Sequence, residues 1–221
     1  MKDIPNLVQP ETAPAATRLQ LIEAAGEVFA EMGFQNATVR EICRRAGANV
    51  AAVNYHFGDK ETLYVEVIRY SHQRAYDKYP PFLDVPADAP AERRLHAFVH
   101  SLLLRIFEKG SNAWHGKVMS REMIEPTAAM DSLVEERMRP MATELTQLVA
   151  EIMKCPISDE RVISCGLSVV SQCVFYHHCQ PVITRLFPQL RSMDADGIAQ
   201  LADHITRFSL TAMKHMPPTK N

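Results

Sequence analysis

The most constraining stretch of this chain runs from Thr38 to Phe57, where two helical patterns are each too short to persist alone. Thr38-x-x-Glu41 is a capping box, a pattern whose hydroxyl satisfies an early backbone N–H while the carboxylate reaches back to the cap. It opens a helix with Val39, Ile42 and Ala46 inward, and Gly47 closes it after two turns. A turn through Ala48 and Asn49 leads to a third helix over Val50–His56, and Asp59 caps a fourth running to about Tyr79. A two-turn helix gains too few hydrogen bonds to offset nucleation. These segments therefore require longer helices to brace them, and two stubby helices joined by a tight glycine turn form a helix-turn-helix.

The preceding helix is expected to start at Thr17, from the capping box Thr17-x-x-Gln20. Leu21, Ala25, Val28 and Met32 follow at helical spacing, and Gly33 ends the helix. Residues 1–15 carry three prolines and read as a mobile arm, residues 16–62 as the helix-turn-helix domain and 63–79 as a connecting helix. Four prolines within 80–90 mark a linker. Beyond it, helices are expected near 91–108, 113–124, 127–153 with a break before Pro140, 159–186 with a bend near Pro181, and 195–215. Residues 91–221 then form a helical bundle for effector binding and dimerisation. The fold class is all-α, because runs of period-two alternation are scarce.

At about 100° per residue, the third helix turns Val50, Val53, Asn54 and Phe57 inward and leaves Ala51, Ala52, Tyr55 and His56 outward. Two alanines let a backbone approach base edges, and a tyrosine and a histidine can donate to phosphates or bases, which is what a helix in the DNA major groove requires. Asn49 lies just before it. On the second helix Arg40 and Arg44 share a face, and Arg40 sits where free backbone amides favour a phosphate. Lys60 is a second expected phosphate clamp. Charge alone does not argue for nucleic acid: Ala15–Tyr70 holds six Arg and Lys against seven Asp and Glu, and the whole chain is at −2. Without further information the polar residues could equally be an ordinary solvated surface.

The run Thr38-Val39-Arg40-Glu41-Ile42-Cys43-Arg44-Arg45-Ala46-Gly47-Ala48-Asn49, followed by Val53-Asn54-Tyr55-His56-Phe57-Gly58-Asp59-Lys60-Glu61-Thr62-Leu63-Tyr64, closely resembles the DNA-binding signature of the TetR family of bacterial regulators. The resemblance implies that Thr38, Arg40, Asn49, Tyr55, His56 and Lys60 contact DNA. Asn54 departs from it, since many members carry an aromatic residue there, and its flanking position leaves open whether it packs or reads a base; Asn54 and Ala48 stand with Arg44 and Ala51 among the expected DNA contacts. Arg121-Glu122-Met123-Ile124-Glu125-Pro126-Thr127 and Cys173-Val174-Phe175-Tyr176-His177-His178 are similar to the CecR-like branch. The family likeness implies an effector pocket within the C-terminal helices, a dimer built on the last two, and repression as the default direction. The expected partners are a near-palindromic double-stranded DNA operator, a small-molecule effector and a second copy of the chain.

For that pocket, Leu104, Phe107, Trp114, Met119 and Phe175 supply apolar lining, with His100, Arg121, Glu122 and His178 as polar handles. The alternative for each is plain core packing or a buried ion pair. Ile163, Leu167, Val170 and Val174 form a helical stripe suited to a dimer interface.

Other chemistries find little support. Cys165, Cys173, Cys179, His177 and His178 crowd one predicted helix but diverge around it, so small buried thiols are favoured over a metal or redox sensor. Five scattered cysteines without a CxxC pair suit a reduced cytoplasmic protein. No stretch is apolar enough to span a membrane, and the first residues lack a secretion pattern. With no GxSxG elbow, phosphate-cradling loop or HExxH pair, neither an enzyme nor a cofactor is expected. The rival class is a helical ligand- or metal-sensing module that does not bind DNA.

Overall fold

The computed structural model describes residues 13–108, 114–190 and 193–217, and these are helical throughout apart from turns. They form two compact units, one of Met1–Ser71 with Lys117–Ala129 and one of His72–Gly116 with Met130–Asn221.

The first unit contains α1 (Ala13–Asn36), α2 (Val39–Ala46), α3 (Val50–Phe57), the start of α4 (Lys60–Lys78) and the end of α6 (Trp114–Ile124). Leu21, Ile22, Val28, Phe29, Ile42, Val53, Leu63 and Val67 are buried in it. Helix α1 begins before the expected cap. Pro14 sits in its first turn, where a missing N–H costs nothing, and Thr17 lies inside the helix. Residues 13–15 are therefore helix and not arm; residues 1–12 lie outside the described residues. Regular helix breaks at Gly33, whose φ of 75° and ψ of 166° leave the helical region before one further turn.

The short helices are defined by their caps. The Thr38 hydroxyl accepts from Glu41 N at 3.2 Å, and Gly47, left-handed at φ 63°, sends its N–H to Cys43 O. Glu41 does not complete the capping box. Its carboxylate accepts instead from Arg44 at 2.8 and 2.7 Å and from Arg45 at 2.9 Å. Arg45 also donates to Glu31 at 2.6 Å, tying α2 to α1. Asn49 Oδ1 accepts from Ala52 N at 3.0 Å and opens α3, and Asp59 accepts from Thr62 N at 2.7 Å at the head of α4.

The second unit holds the end of α4, α5 (Ala91–Ile106), the start of α6, α7 (Ala129–Leu133), α8 (Arg139–Met153), α9 (Glu160–His178), α10 (Gln180–Leu186) and α11 (Ala195–His215). Leu95, Phe98, Leu103, Leu148, Val149, Val162, Val169, Cys173, Ala202 and Ile205 make its core. A π-helical turn, Val134–Met138, separates α7 from α8 just ahead of Pro140, which supplies no N–H. Pro181 likewise separates α9 from α10. The proline stretch 80–90 lies wholly inside this unit. Ser101 Oγ donates to the Tyr79 and Pro80 carbonyls at 3.0 and 2.7 Å, and the Phe82 ring meets Phe98 at 6.0 Å. The two units part within α4 at Ser71/His72 and within α6 at Gly116/Lys117.

Candidate nucleic-acid interface

Helix α3 buries a narrower stripe than its angles suggest. Val53 and Phe57 are buried, whereas Val50 and Asn54 are exposed. Asn54, expected on the inward side, therefore joins Ala51 and Tyr55 on the free face. Tyr55 is 80% exposed, its ring meeting the half-buried His56 edge-on at 4.9 Å. The Asn49 carbonyl oxygen is committed to the cap, so its amide NH2 is what remains to donate. Ala48, in the turn, is half-buried with its N–H on Cys43 O.

The basic residues divide by partner. Arg40 is exposed and forms no ion pair among the described residues. Arg44 is clamped on Glu41, and the Arg44 and Arg45 guanidiniums hold the Glu41 carboxyl down to about 2. Reaching a phosphate would require Arg44 to leave that carboxylate. Lys60, expected as a free phosphate clamp, donates to the Phe34 and Ala37 carbonyls at 3.0 and 3.2 Å and lies 4.5 Å from the Phe34 ring centroid. It fastens the chain between α1 and α2 and keeps one N–H free. Around the third helix, Thr38, Arg40, Asn49, Ala51, Asn54, Tyr55 and His56 offer donors, acceptors and one small contact on adjacent elements.

The residues expected to line an effector pocket are divided between the two units. Met119, Arg121 and Glu122 belong to the first unit. Arg121 donates to the Ala30 and Glu31 carbonyls at 3.1 Å each, capping the end of α1. Glu122 is fully buried and accepts from the Tyr64 hydroxyl at 2.8 Å and from Thr127 N at 2.9 Å. In the second unit Phe107 and Trp114 are buried and His100 and Leu104 half-buried; burial, reinforced by His96, pushes the His100 imidazole down. Phe175 is 55% exposed. His178 is exposed as well, with Nδ1 3.1 Å from the Val174 carbonyl. Facing side chains cannot be read from helical spacing alone when the helices cross at unknown angles.

Burial pushes the Cys173 thiol up to about 12 and raises Cys165, which keeps both protonated at neutral pH. No group of three or more His, Cys, Asp and Glu side chains that could hold a metal occurs among the described residues, nor is any helix there long and apolar enough to cross a membrane. The sequence reading passed over His72, Arg105 and Arg137. The signal was there: Ile68, His72 and Tyr76 share one side of α4, and Phe98, Leu102 and Arg105 share one side of α5, so basic residues interrupt inward stripes.

Residues 21–67 match the family of bacterial regulatory proteins of the tetR type, and residues 91–213 match the C-terminal domain of the HTH-type transcriptional dual regulator CecR. The chain is 33% identical to the dual regulator CecR of Shigella flexneri over 152 residues, which cover 65% of this chain and 68% of that protein. Among solved structures, a transcriptional regulator from Rhodococcus sp. Rha1 superposes with a TM-score of 0.66 at 17% identity, covering 93% of this chain and 100% of that one. A tetR-family regulatory protein from Rhodococcus RHA1 gives 0.64 at 20% identity, covering 88% and 95%. A chain whose capped helix-turn-helix and whose C-terminal half match in this way belongs to the TetR family of bacterial transcriptional regulators, with a C-terminal domain of the CecR type.

Proposed function

We propose that this chain is a homodimeric transcriptional regulator that inserts α3 of each copy into successive major grooves of a near-palindromic operator and loosens its grip when a small effector binds the second unit. The observation that carries the DNA half is the face of α3: a large aromatic hydroxyl residue, Tyr55, stands free beside Asn54 and Ala51, while Val53 and Phe57 anchor the opposite side. A tyrosine that exposed on a two-turn helix contributes nothing to the core and is available to a groove. Repression is the default direction. The Shigella relative's description as a dual regulator supports activation at some promoters as well. Effector and DNA act on one equilibrium, so each lowers affinity for the other by the same factor.

A gel shift against the DNA upstream of the chain's own gene tests this directly. Tyr55→Ala should cost about 1–3 kcal/mol on the operator and much less on random duplex, whereas Arg40→Ala, at a phosphate position, should weaken both alike. Equal losses on both DNAs for Tyr55→Ala would refute base reading by α3. Lys60→Ala should weaken all sequences alike and, because it frees the Phe34 and Ala37 carbonyls, should also lower the melting temperature. An unchanged melting temperature would show that its two carbonyl contacts are dispensable.

A further inference from the structure

The second unit contains a cluster of basic side chains in which neither arginine is paired with a carboxylate among the described residues. His72 and Tyr76 lie one turn apart on α4 and stack at 4.5 Å with ring planes 29° apart. The Arg105 guanidinium, from α5, sits 4.5 Å from the centroid of the same Tyr76 ring. Arg137, from the π-helical turn, is close enough that its charge and that of Arg105 both act on His72, after burial, to hold the imidazole down to about 4. The Tyr76 hydroxyl donates to Met141 Sδ at 3.0 Å.

Acceptors are scarce in this cluster. Arg105 Nε has the Ser101 carbonyl at 3.4 Å and its Nη2 has Met141 Sδ at 4.0 Å, with the Tyr76 hydroxyl as the other oxygen that acts on the guanidinium. Arg137 Nε and His72 Nδ1 are buried with no hydrogen-bond partner among the described residues. No carboxylate among them pairs with either arginine. Both arginines are half-buried, and withdrawing even part of a guanidinium from water without a carboxylate beside it is costly, so proteins ordinarily pair such charges. Two of them beside a neutral imidazole make a site in which an anion would be the missing member, and a planar fork of N–H donors is suited to a carboxylate or similar oxyanion.

We infer that the effector of this regulator carries an anionic oxygen group, a carboxylate or comparable oxyanion, held by Arg105 and Arg137 beside the Tyr76 and His72 rings. The inference rests on the reading of the chain as an effector-responsive regulator and gives that effector its chemical class. The flat Tyr76 and His72 faces favour an aromatic or unsaturated body next to the charge.

Thermal melting of the full chain tests it with sodium acetate and sodium benzoate as probes, against sodium chloride at equal ionic strength and with benzamide as the uncharged analogue. At saturating benzoate the melting temperature should rise by about 4 °C or more, acetate should give a smaller rise, and benzamide none. Arg105→Gln and Arg137→Gln should each abolish the response. In chloride each should melt no lower than the unsubstituted chain, since each removes a half-buried charge that no carboxylate among the described residues pairs. Absence of any anion response, a response of equal size in both variants, or variants that melt well below the parent would each overturn the site. A gel shift of the unsubstituted chain on its own upstream DNA in chloride is scored separately. Failure there removes the regulator reading and leaves the anion response to be judged by melting alone.

Discussion

Glu122→Ala should lower stability by about 3 kcal/mol or more, with operator binding lost as the first unit loosens. Glu122 is 0% exposed, and its carboxylate is the acceptor for the Tyr64 hydroxyl, Thr127 N and, at 3.1 Å, Thr127 Oγ1. Tyr64 is itself buried, its ring meeting Phe29 edge-on at 4.8 Å and Phe34 at 5.0 Å, and burial together with the hydrogen bond to Glu122 drives its phenol ionisation upward. Truncation at 122 strands a buried hydroxyl and a backbone N–H and opens a cavity beside them. Tyr64→Phe removes one hydrogen bond and keeps the ring, so its cost should be about 1 kcal/mol. Urea unfolding followed by circular dichroism measures both. A cost below about 1 kcal/mol for Glu122→Ala would mean that water or a neighbouring group replaces the carboxylate.

The double substitution Ile163→Asp with Leu167→Asp should convert the proposed dimer to a monomer. On α9 these side chains are 59% and 62% exposed, on the same helix side as Val174, and Phe208 on α11 is 61% exposed. Val170, expected in the same stripe, is partly buried against the core and contributes less. Large exposed apolar residues on adjoining long helices mark an interface, and two carboxylates placed within it would be desolvated without partners. Light scattering should fall from about twice 24.9 kDa to 24.9 kDa. Operator affinity should fall by about 10²–10⁴-fold, since two linked half-site contacts become one. A chain that remains dimeric after both substitutions would move the interface off this face of α9. Native-like circular dichroism of the monomer is required, and both positions are exposed enough to permit it.

Much of the DNA-binding half is legible because its stop and start signals are local. Thr38, Gly47, Asn49 and Asp59 each act through a side chain or a backbone angle on residues two to five positions away, so spacing alone locates α2, α3 and α4. The same locality misleads at Thr17, where a capping pattern exists but Ala13–Ala16 already continue the helix. Lys60 is opaque for a different reason: its partners are carbonyls 23 and 26 residues away, and nothing in a lysine's neighbours announces them. The π-helical turn and the break at Pro181 follow from proline's missing donor and were readable; the commitment of Arg121 and Glu122 to the first unit was not, since it depends on where α6 lands. The exposure of Phe175 and His178 was not foreseen, because helical spacing places residues on one helix and says nothing of which neighbour that side meets. His72 and Arg105 were visible as basic residues within otherwise apolar stripes, and that irregularity was the more informative signal.

The first unit draws its last pieces from residues 117–129, more than forty positions beyond Ser71. A protein cut after Tyr79 would retain α1 to α4 yet expose the end of α1 without the Arg121 guanidinium and leave Tyr64 without its carboxylate. Exchange of the N-terminal segment for that of another regulator would meet the same obstacle. The incoming Tyr64 equivalent must find a matching acid in the resident α6, and the resident Arg121 must find two free carbonyls at the incoming helix end. Transplantable DNA specificity in this chain is therefore a property of two separated stretches that have to travel together.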